Sequence, residues 1–96
     1  MKFAWDPRKE ATNLAKHEVP FSEAEQAFSD PFAVVAFDEV HSPRGKSDLR
    51  WWLLGKVGAR IMLVRCTHRP NGVIRIIGAG CWEIGAKIYE EKNDPH

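Results

Sequence analysis

Two arginines, Arg65 and Arg75, carry the clearest chemical signal in this chain. The runs Ile61-Met62-Leu63-Val64 and Val73-Ile74-Arg75-Ile76-Ile77 are rich in β-branched residues, and His68-Arg69-Pro70-Asn71-Gly72 between them has the Pro and Asn-Gly chemistry of a turn. A β-hairpin is expected. With Thr67 paired to Val73, it sets Arg65 directly opposite Arg75 on one face. Like charges opposed across a sheet repel. An anion between them converts the repulsion into a site, and phosphate suits best because a guanidinium fork grips two of its oxygens. The competing reading is that each arginine reaches solvent along its aliphatic stem or meets a carboxylate such as Glu83.

The elements that must hold this pair follow from the rest of the pattern. Residues 2–5 are a short strand, and Asp6-Pro7 is an N-cap with proline at the first helical position, opening a helix to about His17. Ser22-Glu23-Ala24-Glu25 has the form of a capping box for a second, short helix to Phe28, which Asp30-Pro31 ends. Residues 32–37 and 49–54 are strands, joined by a polar loop over 41–47. After the hairpin, residues 81–91 form a last helix and 92–96 a frayed tail. The sum is β-α-α-β-β-β-β-α, an α+β domain in which an antiparallel β-meander is covered on one face by two N-terminal helices and a C-terminal helix. Met62, Val64, Cys66, Ile74 and Ile76 then share the covered face. Leu63, Arg65, Thr67, Val73, Arg75 and Ile77 line the other.

Composition narrows the function. Ninety-six residues with 44% hydrophobic and 28% charged side chains make one globular domain with one core. The net charge is only +1, from 14 basic and 13 acidic residues, but it is unevenly spread. Eight Lys/Arg and one acid, Asp48, fall between Arg44 and Arg75, whereas six acids and no Lys/Arg fall between Glu18 and Glu39. A basic face for an anionic ligand and an acidic face for a basic partner are expected. Cys66 and Cys81 form no CxxC and share no ligand spacing with the four histidines, so buried free thiols are expected and a metal or other cofactor is not. The N-terminal residues lack an apolar signal region, and no apolar run reaches membrane length, which points to the cytoplasm. There is no Gly-rich phosphate loop, nucleophile elbow or metal cluster to suggest a small-molecule enzyme.

Several segments together resemble one family. Asn13-Leu14-Ala15-Lys16-His17, then Val19 and Phe21, Glu23-Ala24, and Phe28 with Asp30-Pro31 resemble the first half of the BrnT-type toxins. His41-Ser42, Arg50-Trp51 and Gly55 fit the middle of that pattern, Thr67-His68-Arg69 and Ile74-Arg75-Ile76-Ile77 its third part, and Tyr89-Glu90-Glu91 its end. The resemblance implies a RelE-like ribonuclease fold and a type II toxin that cuts RNA without a metal. It also implies a cognate antitoxin of ribbon-helix-helix type, which binds operator DNA on behalf of a hetero-oligomeric complex. In one place the chain departs from the pattern. Where the family usually has Ser-Ala-Arg before a basic helix, this chain has Gly78-Ala79-Gly80, so the expected arginine at position 80 is absent.

Metal-free RNA cleavage needs a base for the 2′-hydroxyl proton, a cation for the pentavalent phosphate and an acid for the leaving 5′-oxygen. Arg65, Arg75 and Arg69 are the candidate cations. His17, His41 and His68, or instead Lys16, Lys87 or Tyr89, are the candidates for proton transfer, and Arg50, His68 and Lys87 for holding RNA. Each has a plainer explanation. Lys16 and His17 suit a helix C-terminus through its dipole, His68 and Arg69 suit an exposed turn, and Tyr89 suits the rim of a core. Trp51-Trp52 must point to opposite faces, so one is core and the other exposed, to stack a base or, as favoured here, to anchor the antitoxin. The first reading is an endoribonuclease toxin. The second, favoured by the missing arginine and the small net charge, is a toxin-fold protein with little cleavage that acts as an antitoxin-binding co-repressor.

Overall fold

Aspartate-capped and proline-started, the first helix sets the frame. A computed structural model describes residues 1–40, 42 and 49–94. The elements are β1 (Lys2–Ala4), α1 (Pro7–His17), α2 (Phe21–Ala24) with a 3-10 turn (Glu25–Ser29), β2 (Val34–Phe37), β3 (Arg50–Val57), β4 (Arg60–Arg69), β5 (Val73–Gly80) and α3 (Glu83–Asn93). Their order is the expected one. Lys92 and Asn93 belong to α3 rather than to a frayed tail, and the Asn93 amide donates to the Phe32 carbonyl.

At the start of α1 the Asp6 carboxylate accepts from the Arg8 backbone N–H at 2.9 Å. Glu18 stops the helix in the left-handed region, at φ 58°. The capping box at Ser22 does not form, because α2 begins at Phe21 with Pro20 as its N-cap, two residues earlier than such a box requires. Its first amide is met from a distance instead, by the Glu10 carboxylate of α1 at 2.8 Å. This bond ties the two helices together.

The sheet runs β1-β5-β4-β3-β2. The last four strands form the expected antiparallel meander, and β1 adds to it in parallel beside β5. The hairpin register differs from expectation. β4 continues through His68 and Arg69, and the turn tightens to Pro70–Gly72, with Asn71 and Gly72 both left-handed at φ 64° and 73°. Arg69 therefore pairs with Val73 and Thr67 with Arg75, while a bulge between Arg65 and Cys66 brings Arg65 opposite Gly78. Arg65 and Arg75 share a face but lie diagonally, which avoids direct opposition of like charge. The same bulge lets both Ile76 and Ala79 reach the core.

On the core face, Val19, Phe21, Ala24 and Ala27 pack against Leu53, Met62, Val64 and Ile76. Burying one such large side chain stabilises by roughly 1.5–3 kcal/mol. Gly55 permits the closest approach, since a Cβ there would stand 2.2 Å from the Ala27 carbonyl oxygen. Helices do not cover one face only. A Cβ on Gly85 of α3 would point at Leu54, 3.0 Å from its Cδ2, and Leu54 and Gly55 are successive residues of β3 that face opposite sides. α3 thus lies across one end of the arginine-bearing face. Its far end is held by Tyr89, whose hydroxyl donates to Asp30 Oδ2 at 2.6 Å, beside donations to the same carboxylate from Lys56 N and Phe32 N. Burial pushes the Asp30 carboxyl up, but these hydrogen bonds outweigh it and its pKa falls below the usual 3.8.

β1 stops at Ala4, so the outer edge of β5 beyond Arg75 has no strand partner. Asn13 takes that place. Its Oδ1 accepts from Ala79 N at 3.1 Å, and its amide donates to Ala79 O at 2.8 Å and to Val19 O at 3.1 Å.

Removing these three bonds by Asn13→Ala leaves buried backbone groups unmet and should cost about 2–4 kcal/mol, measurable by urea unfolding. Asp30 stabilises the fold above its ordinary titration range and loses that contribution as pH falls through its depressed pKa. Tyr89→Phe should therefore lower stability at neutral pH and make its decline in acid shallower, as read by thermal melts across pH.

Candidate active site

Asn13 fixes α1 against β5, and the next turn of the helix carries Lys16 and His17 over the sheet. Between them and the sheet lies an open cleft of about 550 Å3, lined by Asp6, Arg8, Lys9, Thr12, Asn13, Lys16, His17, Arg65, Ile77 and Gly78. Arg8, Lys9, Lys16 and Arg65 are cationic there, against a single carboxylate. That carboxylate, Asp6, is held below its usual range by hydrogen bonds from the Arg8 side chain and backbone, and the Arg75 charge adds to the effect.

The strands extend this cationic surface in rows. Arg50, Thr67 and Arg75 are successive cross-strand neighbours on β3, β4 and β5, and Trp52, Arg65 and Gly78 form the adjacent row. Arg65 Nη2 stands 3.7 Å from Asp38 Oδ2, so its partner is Asp38 and not Glu83. Two polar atoms in this region are buried without a hydrogen-bond partner, Thr67 Oγ1 and Arg50 Nε. Such atoms are uncommon, and neither residue lines the cleft itself.

Of the expected site residues, Lys16, His17 and Arg65 meet at the cleft, Arg75 and Arg50 adjoin it, and Arg69 lies exposed at the outer end of the same strand face. Three others are elsewhere. His68 points to the opposite face, where its ring stands 6.0 Å from Trp51, itself 5.1 Å from Phe37. Tyr89 is engaged with Asp30, which pushes its pKa up to about 12. Lys87 is exposed on α3 and does not line the cleft. His41 lies outside the described residues. Neither Trp51 nor Trp52 is fully core or fully exposed; both are half-buried.

Sequence reasoning missed Asp38, Arg8 and Lys9, and placed Thr67 on this face without giving it a role. Asp38 had a signal: it continues the Val34, Ala36 alternation and so falls on the arginine face. At position 80 the geometry is specific. A Cβ on Gly80 would come within 2.5 Å of Trp82 Cη2, so the Trp82 ring fills the space a side chain would need, and an arginine there requires the ring to move.

A family model described as the ribonuclease toxin BrnT of type II toxin–antitoxin systems matches residues 5–83. The chain belongs to the BrnT family. Its structure is similar to the 1.1 Å crystal structure of the Brucella abortus ribonuclease toxin BrnT, with a TM-score of 0.63 and 27% identity, covering 86% of this chain and 97% of that one. No curated protein matches the chain by sequence. The α+β architecture, with its five-stranded sheet and three helices, is thus that of a BrnT toxin, and membership of a type II system implies an antitoxin partner. Every cleft residue falls inside the BrnT match, whereas Lys87 and Tyr89 fall beyond it. Among the described residues, no helix is long and apolar enough to cross a membrane, and no three His, Cys, Asp or Glu side chains converge.

The two thiols differ, against the expectation that both are buried. Cys66 is buried, which pushes its pKa up to about 11, and Cys81 is exposed. A thiol-specific reagent at neutral pH should modify one cysteine per native chain, Cys81, and reach Cys66 only on unfolding, as counted by absorbance and mass.

Proposed function

We propose that this BrnT-family chain is an endoribonuclease with a RelE-like fold, which cuts single-stranded or ribosome-presented mRNA using its own side chains and no metal. The observation that carries the reading is the cleft in which α1 sets Lys16 and His17 beside Arg65, with Arg75 and Arg50 on the adjoining sheet. Arg65 and Arg75 grip the scissile phosphate, and Asp38 keeps Arg65 in place from behind. Lys16 or His17 takes the proton of the 2′-hydroxyl. The 2′-oxygen attacks phosphorus, the bond from phosphorus to the 5′-oxygen breaks, and the second of the pair protonates the leaving oxygen. The products are a 2′,3′-cyclic phosphate and a 5′-hydroxyl end. The arginines stabilise the charge that builds on the equatorial oxygens. Arg50 and Arg69 continue the track for the flanking backbone. Tyr89 takes no part, since a phenol titrating near 12 and bonded to a carboxylate is a poor acid at neutral pH.

The cognate antitoxin, of ribbon-helix-helix type, silences the cytoplasmic toxin by covering this cationic surface, and the hetero-oligomer reaches operator DNA through the antitoxin alone. Opposite charges on the two partners would hasten their encounter.

One observation favours a second reading. Trp82 occupies the space above Gly80, so the arginine usual in the family has no counterpart there, and a weakly cleaving co-repressor would need none.

Expression of the chain alone should arrest growth and cut transcripts, in cells and, with EDTA present, in vitro. Arg65→Ala and Arg75→Ala should each lower cleavage by about 10²–10³-fold while melting temperature is kept. Undiminished cleavage in the double variant would overturn the proposed site. Normal growth with a folded protein that still binds the neighbouring gene product would establish the co-repressor.

A further inference from the structure

The side chain that stands over Gly80 has no place in the cleavage scheme. Trp82 is the N-cap residue of α3, yet its side chain makes no capping bond, and 42% of the residue is exposed. The benzo edge of its indole rests on the Gly80 backbone, with the closest ring atom 2.5 Å from where a Cβ would be. His17 meets the ring edge-to-face at 5.0 Å between centroids. His17 also lines the cleft, whose wall carries Lys16 and Arg65, so the indole adjoins the cleft through His17. A large apolar ring left in water next to a cluster of cations is the pairing that binds single-stranded nucleic acid: the cations track the backbone and the ring takes a base.

We propose that Trp82 is a positioning residue that stacks the nucleobase next to the phosphate gripped by Arg65 and Arg75. This rests on the RNA-cleaving reading above. The glycine at position 80 is what lets the indole lie against the strand, so the chain has exchanged a possible cation there for a stacking surface. His17 holds the ring from one side and leaves the remainder to the base. Stacking is tolerant of base identity, because every base offers a π-face, so the subsite selects single strands over duplexes more than it selects sequence. An antitoxin anchor is the competing use of an exposed tryptophan. Of the other exposed apolar side chains, Val35 and Phe37 sit on β2 at the opposite edge of the sheet from β1 and β5, whereas Ile84 follows two residues after Trp82 in α3.

The test is binding of a short fluorescent single-stranded RNA made non-cleavable by 2′-O-methyl groups, followed by anisotropy with the full-length protein. Trp82→Ala should weaken binding about tenfold, and Trp82→Phe should retain most of it. The dependence on salt should be the same for both variants and the parent, because no phosphate contact is removed. An RNA of the same length carrying abasic positions should bind the parent and Trp82→Ala equally. Equal affinity of parent and Trp82→Ala for the intact RNA, or a changed salt slope with no abasic effect, would overturn the proposal. So would a loss confined to antitoxin binding. The cleavage reading fails separately: a parent that binds RNA through Trp82 but leaves cleavable RNA intact keeps the stacking site and loses the nuclease.

Discussion

The paired hydrogen bonds between Asn13 and the Ala79 backbone are the constraint on which the site depends. They replace a strand that β1 is too short to provide. Without them the N–H and C=O of a buried residue would lack partners, and helix α1 would have no fixed rotation or height against the sheet. Asn13, Lys16 and His17 are three and four residues apart, so they share one side of the helix. Anchoring the first therefore aims the other two, and it aims them at Arg65 because the bulge beside that residue sets it opposite Gly78.

Charge is arranged against the interest of stability in the same region. Arg65 has Asp38 close by and Arg75 acts on Asp6, but the cations of the cleft outnumber its carboxylates. Thr67 Oγ1 and Arg50 Nε are buried and unmet, and each such group costs about 1–3 kcal/mol. Under the proposed reading, an RNA phosphate relieves the repulsion among the cleft cations, so part of the substrate's affinity comes from the protein's own crowded charge. Elsewhere the fold does the reverse. Asp30 collects three donors, and Glu10 caps a helix in another part of the chain.

Element order was legible because hydrophobic period and breakers are local: Asp6-Pro7, Asp30-Pro31 and Asn71-Gly72 each stop or start an element where their chemistry says they should. The assignment of side chains to the two faces of β4 and β5 was legible for the same reason. Register was not. Whether the turn takes five residues or three depends on a competition between extending the ladder and relaxing the loop, and the bulge at Arg65 adds a residue that no pattern announces. Nor could the two-sided packing be seen, because small Gly55 and Gly85 mark close approach without saying from which element. Of the site, Lys16, His17, Arg65 and Arg75 were legible as residue types. Their meeting depends on Asn13, whose role is visible only when the strand it replaces is seen to be missing.

The parallel pairing of β1 with β5 has a consequence for the making of the protein. Lys2 lies beside Val73, so the first strand waits for the fifth. Such long-range closure is slow relative to local hairpins and helices. On a ribosome, the N-terminal part of the chain emerges well before β5 exists, and Lys16 and His17 then have nothing to face. A chain in the course of translation lacks the cleft until β5 has emerged, and under the proposed reading it cannot cut RNA before then.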